Sequence, residues 1–166
     1  MIKKILLAII VALPATVFAQ KFGTVNADAI LQAMPEVTAM QTTISEASKK
    51  YEDEFSKLQE EMQKKITEYQ TLEKDTTTPD ALKERRMQDI QELDNKIQQF
   101  RNTASMDLQR QQQQLMAPIE QKVTDAIKAV GQEGSYTFIF QDGMALFAGS
   151  TVEDVTPAVK AKLGLK

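Results

Sequence analysis

Two long rows of apolar residues, spaced mostly by three or four positions, restrict the fold of this chain more than any other feature. The first row lies between Val37 and Leu72, and the second lies between Leu82 and Val130. This spacing places the apolar side chains on one narrow face of an α-helix. A helix from Glu36 to Lys74 would be about 58 Å long at 1.5 Å per residue, and it could not bury that face alone. The sequence therefore predicts two long helices that pack against each other.

A short polar segment separates the two rows. Residues 75–80 contain three threonines, a proline and two aspartates, a composition that is typical of a turn. Two helical rows joined by a short turn predict an antiparallel hairpin. Pro118 interrupts the second row, and an interior proline removes one backbone hydrogen bond and kinks a helix. We interpret Pro118 as the hinge between this arm and a compact body; a complete break of the helix there is the alternative.

Strand-forming residues lie at the two ends of the chain. Residues 21–26 read as a short strand, and Asn26 is a good N-cap for the short helix predicted after it. Residues 136–140 and 145–148 read as two further strands, joined by an Asp-Gly pair that favours a tight hairpin turn. A short helix is predicted near the C-terminus. The fold class is therefore α+β, in which the first strand pairs with the terminal hairpin.

The predicted strands carry a large apolar set for so small a sheet. Three strands bury little apolar area, so we expect sheets from several chains to close a common core. The residues predicted for this core are Phe22, Val25, Phe138, Phe140, Leu146 and Phe147.

The first 19 residues have the pattern of a secretory signal peptide. Lys3 and Lys4 precede an apolar run from Ile5 to Leu13, and small residues precede a cleavage point after Ala19. A buried N-terminal helix is the alternative. No cysteine follows the apolar run, which argues against a lipid anchor. We therefore expect export, followed by removal of residues 1–19.

The charge of the expected mature chain argues against several classes of partner. Without Lys3 and Lys4, 18 of the 20 basic residues remain against 23 acidic ones, a net charge of −5. A nucleic-acid-binding protein needs a basic face, and an anionic membrane also prefers one. The chain contains no cysteine, so its stability must come from packing or oligomerisation rather than from disulfides.

The sequence contains no recognisable motif of an enzyme. It has no histidine, the commonest general base and zinc ligand, and it has no phosphate-binding loop, dinucleotide fingerprint or nucleophile elbow. Acidic neighbours such as Glu60 and Glu61 point away from each other on a helix and are interpreted as solvated. We therefore expect no catalytic residue, no metal site and no cofactor.

Two compositional features leave alternatives open. The glutamine-rich stretch 109–114 resembles a low-complexity tract, but its helical spacing between apolar residues favours a polar stretch of the arm. The methionines of the arm are interpreted as hairpin packing. The alternative is a surface for binding variable partners, since methionine repacks easily.

The two ends of the chain resemble the Skp/OmpH family of chaperones. The first matching segment is Phe22-Gly23-Thr24-Val25-Asn26, followed by Ile30-Leu31 and Met34-Pro35-Glu36. The closing half matches at Ala117-Pro118-Ile119, Val123, Ala126-Ile127 and Val130, then at residues 136–140, Ala145-Leu146 and residues 152–156. The arm adds less to the resemblance, because any coiled coil would match it.

The resemblance implies a periplasmic homotrimer whose arms surround a cavity. It also implies an ATP-independent holdase that binds unfolded outer-membrane proteins and prevents their aggregation in transit. The body would comprise residues 20–35 and 118–166, and the arm residues 36–117 with its turn near 75–80. The chain departs from strongly basic members of the family. Its tip, residues 73–86, has four acidic and four basic residues, which argues against attraction to acidic lipid or lipopolysaccharide.

A structural or adaptor coiled-coil protein of the cell envelope is the alternative function. Such a protein would bind one folded partner tightly and would have no affinity for unfolded chains. A cytosolic prefoldin-like subunit shares the plan of a hairpin with strands, but the signal peptide argues against it.

Overall fold

The computed structural model describes residues 20–165, so the predicted signal peptide lies outside the described residues. Along the described chain, three short strands and two short helices flank two long helices. The elements are β1 (Phe22–Val25), α1 (Ala27–Ala33), α2 (Pro35–Lys74), α3 (Asp80–Glu133), β2 (Phe138–Gln141), β3 (Glu153–Asp154) and α4 (Thr156–Lys162). In this part of the chain, no helix is both long enough and apolar enough to cross a membrane.

The predicted antiparallel hairpin is confirmed. Helix α2 has 40 residues and α3 has 54, so the two are about 60 and 80 Å long. The apolar rows face each other along the pair, where Leu58 of α2 and Leu93 and Ala104 of α3 are buried. At the tip, the Asp75 carboxylate accepts a hydrogen bond from the backbone N–H of Thr77 at 2.8 Å, which stabilises the turn.

Helix α3 continues through Pro118. The alternative of a complete break at this residue is therefore wrong. The helix tolerates the proline because packing of its apolar face holds it on both sides. Leu115 before it packs against the core, and Ile119 and Val123 after it are buried. A role for Pro118 as a hinge stays a prediction.

The sheet has the order β2-β1-β3, and both pairings are parallel. The predicted pairing of β1 with the segment around Phe138–Phe140 is correct. The predicted hairpin of two strands, residues 136–140 and 145–148, is wrong, because residues 145–148 form an exposed loop and the third strand is Glu153–Asp154. Gly143 does take a positive φ of 79°, as a tight turn requires. The chain then runs on to β3, where Val155 is buried in the core and its N–H donates to the Thr24 carbonyl at 2.8 Å.

The core of the body lies between the sheet, the two short helices, the first turns of α2 and the last turns of α3. Ile30, Met34 and Val159 are its most completely buried side chains. Asn26 caps α1 as predicted, since its side chain accepts a hydrogen bond from the N–H of Ala29 at 2.8 Å. The Thr156 hydroxyl accepts one from the N–H of Asn26 at 2.9 Å, which ties the two ends of the chain together.

Candidate interaction surfaces

Three phenylalanine rings form a continuous surface on the outer face of the sheet. The parallel register pairs Phe22 with Phe138, and Phe140 lies two residues further along β2 on the same face. The Phe22 and Phe138 rings are stacked with centroids 6.3 Å apart, and the Phe138 and Phe140 centroids are 5.8 Å apart. Phe138 is 57% exposed and Phe140 is 42% exposed. We call Phe22, Phe138 and Phe140 the aromatic face.

The loop between β2 and β3 adds further exposed apolar side chains. Met144, Leu146 and Phe147 are exposed in this loop, with Leu146 entirely open to solvent. The chain itself offers no surface that covers them in residues 20–165. Contiguous exposed apolar residues of this kind mark an interaction surface in a folded protein.

Strand β2 is an outer strand of the sheet. It pairs with β1 on one side, and within the described residues no strand pairs with its other edge. Its free backbone N–H and C=O groups can therefore bond to a strand of another chain. The free edge, the aromatic face and the loop belong to the same end of the molecule.

A polar contact lies inside the apolar seam of the hairpin. The Tyr51 hydroxyl of α2 donates a hydrogen bond of 2.6 Å to the Asp107 carboxylate of α3, whose side chain is only 16% exposed. Gln111 and Arg110 donate to the same carboxylate. The hydrogen bonds from Tyr51 and Gln111 hold the pKa of Asp107 below its usual value, and the bond to Asp107 raises the pKa of Tyr51. The contact fixes the register of α2 against α3, because a shift along the helix would leave the carboxylate without its donors.

Next to this contact, α2 and α3 form a groove lined by aromatic rings. The Tyr51 and Phe100 rings meet edge to face with centroids 5.9 Å apart, and the Arg101 guanidinium lies 5.7 Å from the centroid of Phe55. The groove has a volume of about 360 Å³ and opens to solvent. It interrupts an arm surface that is otherwise mostly polar.

A family model described as Outer membrane protein (OmpH-like) matches residues 21–163, almost the whole of the described chain. The chain belongs to the OmpH-like family. The resemblance drawn from its two ends is therefore confirmed. A comparison with curated proteins found no significant match.

In this OmpH-like chain, the residues predicted for a shared core occupy three different places. Phe22, Phe138 and Phe140 come together in the aromatic face, and Leu146 and Phe147 lie in the exposed loop. Val25 points the other way, into the core of its own chain, where it is 4% exposed. The role of the set between chains stays a prediction.

Sequence reasoning missed the contact between Tyr51 and Asp107. Tyr51 was placed in the apolar row of α2, but its hydroxyl needs a partner when the ring is buried. The sequence did contain a feature that predicts this contact. Asp107 is a carboxylate that lies between Ala104 and Leu108, two inward-facing residues of the second apolar row. A buried tyrosine opposite an inward carboxylate indicates a hydrogen bond across a helical hairpin.

Sequence reasoning also missed a cluster of three interacting side chains, Lys21, Tyr136 and Glu153, that lies across the sheet. The Lys21 ammonium lies 2.9 Å from the Glu153 carboxylate and 4.1 Å from the centroid of the Tyr136 ring. Tyr136 and Lys21 both donate to Glu153 and lower its pKa. A side chain at Gly23 would lie 3.2 Å from this ring, so glycine allows Tyr136 to lie across β1.

The described residues contain no cluster of acidic side chains arranged to hold a metal ion. Glu60, Glu61, Asp53 and Glu54 are all exposed on α2. The surfaces with a shape suited to binding are therefore the aromatic end of the body and the sides of the arm.

Proposed function

We propose that this OmpH-like protein is an ATP-independent holdase of the periplasm that binds unfolded outer-membrane proteins and prevents their aggregation during transit. The observation that carries the proposal is the family match over residues 21–163, which spans both body and arm. The pattern of residues 1–19 supports export to that compartment.

The shape of the arm supports a passive mechanism. The hairpin is about 60 Å long, and beyond the first turns of α2, which pack on the body, it offers a long surface for many weak contacts with one chain. Weak contacts made together hold an unfolded protein firmly, yet each one releases quickly, and no nucleotide is needed. Release would follow when the client finds a better partner.

We propose that the working form is a homotrimer. The aromatic face, the exposed loop and the free edge of β2 would be covered where three bodies meet, and residues 36–117 would project from that body as arms. This arrangement would remove the exposed apolar surface at one end of the chain, which would otherwise favour aggregation. It would also place three arms around one client.

Light scattering tests the holdase proposal. A β-barrel membrane protein unfolded in urea is diluted into buffer with and without the mature chain, and we expect scattering to be suppressed at one trimer per client. The same membrane protein, already folded in detergent, is the control and should not bind. Undiminished scattering, together with a tight complex with one folded envelope protein, would instead support the structural or adaptor function.

A further inference from the structure

Helix α3 carries a row of side-chain amides on a solvent-exposed face. The row consists of Gln88, Gln91, Asn95, Gln98, Asn102 and Gln109, all of them exposed. Their spacing by three, four or seven residues places them on one side of the helix. The same spacing continues through Gln112 to Met116. We call the residues at this spacing from Gln88 to Met116 the amide row.

No member of the amide row is charged, and one carboxylate contacts it: Asp94 accepts a hydrogen bond from the Gln98 amide at 2.7 Å. The seven charged residues between Gln88 and Met116 all lie at other positions of the helix. The solvent face of α2 is the opposite case. There, residues at the same kind of spacing are all charged and exposed: Glu46, Lys49, Asp53, Lys57, Glu60 and Lys64. A solvated helix face needs no such exclusion of charge, whereas the centres of binding surfaces are depleted of charged residues.

We propose that the amide row binds the extended backbone of the unfolded client, an inference that rests on the proposed function and deepens it. Each glutamine or asparagine side chain offers a donor and an acceptor, which match the N–H and C=O groups of a peptide. Contacts to the backbone do not depend on the client's sequence. The row is about 42 Å long, the length of about 13 residues of extended chain.

Two methionines, one within the row and one at its end, add apolar contacts. Met106 is 71% exposed between Asn102 and Gln109. Near the body there is an open groove of about 600 Å³, lined by Gln109, Gln112, Gln113, Met116, Ala117 and, at one side, the charged Glu120. Methionine adapts to side chains of different shape, so these positions suit a client whose sequence varies.

A second helix is a poorer occupant than an extended chain. Two helices that pack side by side need apolar residues at spacings of three and four, as in the seam between α2 and α3. An amide at nearly every such position would be buried without a partner in a helical seam. An extended backbone, by contrast, presents free hydrogen-bonding groups along its length.

Charge substitutions of both signs test the inference. One variant carries Gln91→Lys, Asn102→Lys and Gln109→Lys, and a second carries glutamate at the same three positions. Neither set disturbs an observed hydrogen bond, and both new residues favour helix. Matched controls place lysine or glutamate at Ser45, Ser56 and Gln63, three exposed positions of α2 whose side chains likewise make no observed hydrogen bond. The readout is the Kd for a fluorescently labelled, unfolded β-barrel protein, with circular dichroism and solution mass as checks.

We expect both row variants to bind roughly tenfold more weakly, because lysine removes three acceptors and glutamate removes three donors, and we expect both controls to bind as the wild type does. Equal binding by wild type and row variants overturns the inference and leaves the holdase function standing. Opposite effects of lysine and glutamate, shared by the controls, would overturn it in favour of general electrostatic attraction. A change of solution mass without a change of Kd would show that the row contacts a second copy. A wild type without affinity for unfolded chains removes the proposed function itself.

Discussion

At the scale of single residues, the arm depends on where the half-buried polar groups of its seam find partners. The Asp107 carboxylate accepts hydrogen bonds from Tyr51 across the hairpin and from Gln111 on its own helix. Folding lowers its pKa below the value in the unfolded chain. The stabilisation is therefore present above the unfolded pKa and is lost as the pH falls through the folded pKa. The contributions of Glu36 and Asp75 to stability are also lost as the pH falls, since hydrogen bonds from Lys122 and from Thr77 lower their pKa values.

We expect Tyr51→Phe to reduce the acid sensitivity of the arm. The substitution keeps the ring against Phe100 but removes the largest cause of the lowered pKa of Asp107. The variant should melt at a lower temperature than the wild type at pH 7, and the difference should shrink as the pH falls through the lowered pKa of Asp107, because the protonated carboxyl no longer gains from the Tyr51 donor. Thermal melts followed by circular dichroism from pH 7 to pH 3 measure this.

Tyr69→Phe is the control, because it removes the hydroxyl of another half-buried tyrosine of α2 and leaves Tyr51 and Asp107 unchanged. A difference between Tyr51→Phe and the wild type that stays constant with pH would contradict the assignment.

At the scale of elements, the helices were predictable and the sheet was only partly so. A long row of apolar residues at helical spacing has one structural solution, so α2, α3 and their turn follow from the sequence. Strand pairing depends on residues far apart in the chain. The Asp-Gly pair at 142–143 does form a turn, but its conformation alone does not decide whether the chain returns alongside β2. The burial of Val155 in the core decides the third strand, and only the tertiary structure provides that information.

Replacement of Pro118 tests its predicted role as a hinge. Proline lacks the N–H that would bond to the carbonyl of Gln114, so Pro118→Ala restores one helical hydrogen bond. We expect the free energy of unfolding to rise by about 1–3 kcal/mol and the arms to spread less. Denaturation curves measure the first effect, and X-ray scattering of the assembled protein measures the second.

Gln114→Ala is the matched control for Pro118→Ala, because it changes an exposed residue of the same turn and leaves the backbone hydrogen bond at Pro118 missing. If Pro118→Ala and the wild type give the same scattering profile, Pro118 is not a hinge.

At the scale of the whole molecule, the body buries its core within one chain but leaves a large apolar surface exposed. Ile30, Met34 and Val159 are enclosed within one chain, while the aromatic face and the loop after it remain exposed. The sequence predicted an apolar excess at this end, because the number of aromatic residues exceeded what three strands bury. It did not predict which of these residues would face inward, since that depends on the parallel register of β1 and β2.

We expect Phe140→Asp to prevent the proposed trimer. A carboxylate in a shared apolar core costs several kcal/mol without a partner, whereas an exposed one on a single chain costs little. The variant should therefore remain folded by circular dichroism and should have the solution mass of one chain. It should also suppress aggregation less well.

Leu82→Asp is the control for Phe140→Asp, because Leu82 is 41% exposed against 42% for Phe140 but lies at the far end of the arm. A trimer formed equally by both variants would show that the aromatic face is not the contact.

The parallel pairing of β1 has a consequence for the order in which the protein folds. Asn26 and Thr156, which bond to each other, are 130 positions apart, while the two helices of the arm are joined by a turn of five residues. Contacts between distant positions form slowly, and none of those of β1 can form before the last strands have been synthesised and delivered. The two helices of the arm can therefore pair before the body folds. Strand β1 stays unpaired until β2 and β3 are present.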